Sequence, residues 1–147
     1  MSGVPQPKQG TKPKAAKKRK RIAKPRTDRE VATRLHSKII RSTGRCVAVT
    51  MWGIECSGNL EAAHIAPRRY AATRTDLANA VCLCHAHHYY MDTHDGCKRE
   101  LVGSDFYDWL MLKAERGSRE FSGLTPTLWW RSERDRLTEI ARQRGLL

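Results

Sequence analysis

Residues 60–95, LEAAHIAPRRYAATRTDLANAVCLCHAHHYYMDTHD, hold five of the six histidines and two of the five cysteines of this chain. Such a density of imidazole and thiol groups limits what the segment can fold into, because these side chains must be paired, metal-bound or exposed. Within it, His64, Asn79 and His88 read as H-x14-N-x8-H. A histidine titrates near neutral pH and accepts a proton from water when something holds its ring. An asparagine supplies that hold, on the ring or on the loop, without competing for the proton. His88 and Asp92 stand four residues apart, so a helix there presents one nitrogen and one oxygen to a single cation. That donor pair suits Mg²⁺, Mn²⁺ or a similar ion with water in the remaining positions. Arg74, in the basic stretch between, is placed to neutralise a phosphate. A base, a cation site and an arginine are what hydrolysis of a phosphodiester requires.

The charge of the chain points to the same class of substrate. The formal net charge is +13, and residues 1–26 contribute +10 of it, with seven Lys, three Arg and no acid. A segment so charged and so poor in apolar residues reads as a disordered tail. Its run Lys17, Lys18, Arg19, Lys20, Arg21 reads as a grip for nucleic-acid phosphate rather than a mere solubilising arm, and would also serve as a nuclear address. Residues 27–147 then form one domain. No apolar run is long enough to span a bilayer, and no apolar segment follows the N-terminal charges as in a secretory signal. The expectation is a cytoplasmic protein, bacterial or in a phage-infected cell, with the nucleus as the alternative. No membrane is expected as a partner, and the oligomeric state stays open, a homodimer included. The five cysteines, Cys46, Cys56, Cys82, Cys84 and Cys97, are odd in number and lie near histidines, which favours zinc over a disulfide framework. The competing reading makes Cys46, Cys56 and Cys82 small buried apolar residues.

The pattern of the rest is α+β. Thr27-Asp-Arg-Glu30 is a capping box, followed by Val31, Leu35 and Ile39 on one face, so a helix is expected over about 28–42. His36 on it reads as structural. Cys46 to Trp52 is expected as a strand returning through Leu60–Ile65, with a basic loop over 67–78 and a short helix from Cys84 or His85 to Asp92. A helix capped by Ser104 runs to about Arg116, with Phe106, Trp109, Leu110 and Ala114 as its core face. Another begins at Pro126 after the cap Thr125 and runs to about Gln143, burying Trp129, Leu137, Ile140 and Ala141.

The string LEAAHIAPRR…ATRTDLANAVCLC…HH resembles the HNH nuclease family with its ββα-metal core. It is nearest to small phage-encoded HNH endonucleases and phage recombination nucleases, and its spacing is similar to that of colicin-type nucleases. The resemblance spans about residues 45–95. It implies a hairpin followed by a helix, and cation-dependent cleavage of duplex or branched DNA leaving 5′-phosphate and 3′-hydroxyl ends. Carried onto this chain, it makes His64 the general base, Asn79 the orienting residue and His88 a ligand of Mg²⁺, Mn²⁺ or Ni²⁺. Asp92 falls where colicin-type members place a further ligand. One departure stands out: many members carry Asp or His just before the base, and here the residue is Ala63. Asn79, Glu61 or His94 is then the candidate to complete the coordination. Zinc-bearing members imply two knuckles, which here become Cys46 and Cys56 with Cys84 and His87, holding a structural Zn²⁺. Arg68, Arg69 and Arg74 are expected on DNA beside the tail. The rival readings are a non-catalytic zinc-stabilised DNA-binding module, for which Ala63 marks a dead site, and an RNA-binding basic protein.

Overall fold

The structure, a computed structural model, describes residues 26–117 and 123–147. The basic tail through residue 25, with Lys17, Lys18, Arg19, Lys20 and Arg21, lies outside the described residues. Helix α1 spans Asp28–Arg41 and opens on the capping box: the Thr27 hydroxyl accepts from the Glu30 amide, and the Glu30 carboxylate accepts from the Thr27 amide at 2.8 Å. Its buried face, Ala32, Leu35 and Ile39, packs on Trp130, Leu137 and Ala141 of α6 (Pro126–Gln143), whose start Thr125 caps. Arg134 ties α6 to the first turn of α1 through Asp28 at 2.6 Å.

The sheet has two antiparallel strands, β1 (Leu60–His64) and β2 (Ala80–Cys84), with Leu60 opposite Cys84 and His64 opposite Ala80. One face, Ala62, Ala80 and Cys82, meets Ile40 of α1. Ala63 and Leu83 enter the main core with Ile65, Met91, Leu110 and Ala114. Helix α3 (His85–Thr93) follows β2 directly. Two short helices complete the frame around it, α2 (Ala71–Arg74) in the connection between the strands and α4 (Cys97–Val102) after α3. Helix α5 is Ser104–Gly117. No helix among the described residues is long and apolar enough to cross a membrane.

Four expectations change. Cys46–Trp52 is not a strand, and β1 pairs with β2 instead. The β-branched residues there yield to a turn: Met51 donates its amide to the Ala48 carbonyl at 2.9 Å, and Trp52 and Gly53 take φ of 60° and 64°. A single ladder-like bond, Val47 amide to Cys82 carbonyl at 3.0 Å, is what remains of the expected pairing. The basic stretch 67–78 is not an open loop, since α2 falls within it and a 3₁₀ turn at Leu77–Asn79 closes it. Ser104 is the first residue of α5 and not its cap, because Gly103, at φ 86°, already separates α4 from α5. Phe106 and Trp109 lie outside the core, 37% and 50% exposed, while Leu110 and Ala114 are fully buried. The buried stripe of α5 is narrower than the spacing of its aromatics suggests. On α6, Trp130 is buried and Trp129 packs at the edge of the same cluster.

Candidate metal centre and histidine cavity

Cys46, Cys56, Cys84 and His87 bring four donor atoms together, all within 4.8 Å of one another. The turn at Ala48–Gly53 reverses the chain so that Cys56 returns to Cys46. Residues 57–59 then dock on the start of α3, where the His85 amide donates to Asn59 at 2.9 Å and the Ala86 amide to Ser57 at 3.2 Å. Two otherwise unpaired amides of the first helical turn are satisfied this way. Gly58 is required at this crossing: its φ is 78°, and a Cβ there would stand 2.6 Å from the His85 Cβ. His87 Nδ1 points into the cluster, 3.1 Å from the Cys84 Sγ and 3.7 Å from the Cys56 Sγ.

These residues fit zinc. Bonds of about 2.3 Å to sulfur and 2.0–2.1 Å to nitrogen in a tetrahedron put donors about 3.5–3.8 Å apart, close to what is seen. The thiols also disagree over protonation. Burial disfavours the Cys84 thiolate, yet hydrogen bonds from His87, Ser57 and Cys56 take it down to about 6. Burial and the neighbouring Cys84 and Cys46 push Cys56 up to about 11. The Cys84 thiolate is stabilised at the expense of the Cys56 one, and a divalent cation would stabilise both. All five cysteines are free of disulfides. Cys82 and Cys97 are buried in apolar surroundings, apart from the cluster.

On the other side of α3 lies a cavity of about 360 Å³ lined by His64, Pro67, Arg68, His88, Asp92 and Lys98. His64, at the end of β1, is 8% exposed. Its Nε2–H donates to the Arg74 carbonyl at 2.9 Å, which sets the tautomer and leaves Nδ1 as the acceptor. Nδ1 receives the Arg68 Nε–H at 3.2 Å. Burial takes the His64 imidazole down to about 4, so the ring is neutral at pH 7. Behind it the His36 ring lies 5.1 Å away and donates through Nε2 to the Asp76 carbonyl at 3.0 Å. His36 is fully buried, in keeping with a structural residue.

Asn79 does not touch the His64 ring. Its Oδ1 accepts from the Ala66 amide at 2.7 Å, and its Nδ2 donates to the Thr73 and Ala66 carbonyls at 2.9 and 3.2 Å. It closes the connection between the strands, and that connection carries the Arg74 carbonyl on which His64 rests. Asn79→Ala is expected to lower the unfolding free energy by about 2–4 kcal/mol, since three bonds go and buried peptide groups lose partners. Urea denaturation checks this; a loss under about 0.5 kcal/mol, the range of ordinary surface changes, would contradict it.

His88 sits between two carboxylates. Nδ1 lies 2.5 Å from Glu61 Oε2, and Nε2 lies 3.3 Å from Asp92 Oδ2. Glu61 also holds His85 at 3.0 Å, and these two histidines keep its carboxyl below the usual range. With Nδ1–H donating to the Glu61 carboxylate, the Nε2 lone pair faces an Asp92 oxygen. Two acceptors at that distance are joined by a proton or a cation. Octahedral bonds of about 2.0–2.1 Å at right angles put adjacent donors about 3 Å apart, so a small divalent cation fits. A carboxylate behind a ligating histidine is the usual outer partner of a metal site.

Four further placements bear on the site. Lys98, from the unexpected helix α4, pairs with Asp92 at 3.3 Å. Arg69 turns away, stacking on Tyr70 with 4.9 Å from guanidinium to ring. His94 stacks on Tyr90 at 3.8 Å with its Nδ1 at the Tyr90 carbonyl, and Ala63 is buried and paired with Val81 across the sheet. Of the three candidates to complete the coordination, Glu61 alone touches His88, and it does so from behind.

Comparison with family models, with curated proteins and with solved structures found no match for this chain.

Proposed function

We propose that this chain is a metal-dependent endonuclease hydrolysing phosphodiester bonds in DNA, with β1, β2 and α3 as the ββα-metal core of an HNH nuclease. The observation that carries the reading is that one cavity collects a neutral, tautomer-fixed histidine, a histidine–aspartate donor pair and an arginine. His64 Nδ1 accepts the proton of the attacking water, while the Arg74 carbonyl holds the ring as the imidazolium forms. His88 Nε2 and Asp92 would hold a divalent cation, which when bound would supply Lewis-acid neutralisation of the phosphate. Glu61 orients His88 for that role. Arg68 covers the base nitrogen in the free protein, and a phosphate entering the cavity draws its guanidinium away through a charge-assisted bond. Binding of the substrate thereby uncovers the base. Anionic phosphate near His64 also favours its protonated form, offsetting the low basicity that burial imposes.

The test uses zinc-loaded protein with supercoiled plasmid and with a four-way junction. Addition of Mg²⁺, Mn²⁺ or Ni²⁺ is expected to give nicked or cut DNA, and omission of the added cation to leave it intact. A specific feature favours the alternative of a zinc-stabilised DNA-binding module: Lys98 already neutralises Asp92. DNA that is bound yet uncut under every cation would decide for that module.

A further inference from the structure

The basic side chains of the described residues differ in whether an acid neutralises them. On α4, α5 and α6, Arg99, Lys113, Arg134, Arg136 and Arg142 are each paired with a carboxylate. On α1 and in the connection after β1, Arg34, Arg41, Arg68 and Arg74 make no ion pair among the described residues. These four arginines line linked cavities. Arg34, Ser37 and Arg41 of α1 form one wall of a cavity of about 370 Å³, with the edge of β1, Arg68 and His88 opposite. Arg68 and His88 also line the catalytic cavity, so the two spaces share a wall. Arg34 continues into a third cavity of about 300 Å³ with Arg26, Arg29, Thr33 and Arg74.

The third cavity has unsatisfied polar atoms on its lining residues. Thr33 Oγ1 and Arg74 Nε, both on its lining residues, are buried without a hydrogen-bond partner. Buried donors of this kind are normally satisfied, and here they stand beside guanidinium groups that call for acceptor oxygens. The nearby acids are already engaged, Glu30 by Thr27 and Glu61 by His85 and His88. Arg34 and Arg41 are seven residues apart, two helical turns or about 10 Å along α1. Side chains so spaced reach separate phosphates of one strand.

We propose that this face of α1 is a track for the sugar–phosphate backbone of bound DNA, with Arg34 and Arg41 holding phosphates that flank the one in the catalytic cavity. The identity of that central phosphate rests on the nuclease reading; the binding does not. Arginine suits the task because its planar fork meets phosphate oxygens in pairs.

The experiment measures affinity for a short labelled duplex against salt concentration, in the His64→Ala background so that cleavage does not intervene. Each phosphate contact contributes about 0.9 to the slope of log affinity against log salt. The double variant Arg34→Gln with Arg41→Gln is expected to lower the slope by about 1.8 on that basis. The double lysine variant keeps the charges and the slope. Arg142→Gln, whose arginine is paired with Glu139, leaves the slope where it was. A double glutamine variant with the parent slope overturns the track, as does an equal fall in Arg142→Gln. A fall seen with single-stranded RNA and not with duplex DNA overturns the assignment to DNA. If the wild-type chain cuts no DNA but the slopes shift as expected, the nuclease reading fails and the track stands; cleavage with unshifted slopes removes the track alone.

Discussion

His64→Ala is expected to slow DNA cleavage by about 10²–10⁴-fold, the usual worth of a positioned proton acceptor. The expectation comes from how the ring is held. Its Nε2–H is committed to the Arg74 carbonyl, so the nitrogen that faces Arg68 and the cavity is the one that can accept a proton. Alanine removes the acceptor and leaves His88, Asp92 and the Cys46, Cys56, Cys84 and His87 cluster in place. Metal content and cation affinity should therefore stay near wild type, whereas His88→Ala should lose activity and cation affinity together. Single-turnover rates with calorimetry on both variants separate the two roles. Near wild-type cutting by His64→Ala would remove it as the base.

The same burial gives His64 a signature in folding. Its folded pKa, about 4, is below the ordinary 6.5, so the unfolded chain binds the proton more readily. The ring's contribution is fully present above about 6.5 and is lost as pH falls toward 4. A shift of this size corresponds to about 3 kcal/mol. His36, depressed by its own burial, acts in the same direction.

Loss of zinc is expected to be the most destabilising single change. The segment from Cys46 to Gly58 has little regular secondary structure and is anchored to β2 and α3 through the cluster. Structural zinc in small domains binds with an apparent free energy of about 10–16 kcal/mol, much of it folding energy. Stripping the ion, or Cys84→Ser, should cost about 5 kcal/mol or more, which for a domain of this size lowers Tm by roughly 15–20 °C. Elemental analysis should find about one zinc per chain in the native protein and none in the variant, as one Cys3His site requires. Cys82→Ala is the control. That residue is buried among Ile40, Ala62 and Ala80, and its loss should cost about 1 kcal/mol without changing the zinc content. Equal effects of the two substitutions, with no zinc in the folded native chain, would return all the cysteines to the role of small apolar residues.

What the sequence made legible follows from how local each signal is. Helices α1 and α6 announce themselves through Thr27 with Glu30 and through Thr125 with Pro126, and both begin where those residues place them. The four cluster residues were also legible, although the fold of their first half was not. Val47, Val49 and Thr50 favour a strand, and the turn that brings Cys56 back to Cys46 overrides that preference by placing Trp52 at positive φ. The true partner of β1 was hidden because residues 65–79 intervene, far more than a hairpin turn, and because Val81-Cys-Leu-Cys84 reads as an undifferentiated apolar run. Glu61 left a signal, as the lone acid in the strand Leu60–His64, three residues before His64. Lys98 left none: α4 is six residues long, starts after Gly96 at φ 83° and has no side-chain cap.

The central claim is that the His64 cavity performs cation-dependent phosphodiester hydrolysis. Its most direct test is the single-turnover cleavage rate of a labelled DNA duplex as Mn²⁺ or Mg²⁺ is titrated into zinc-loaded protein. A rate that climbs from background and saturates, and that falls away in His88→Ala, is the predicted result. A duplex that stays whole at every cation concentration, or is cut at a rate indifferent to the cation, would contradict it.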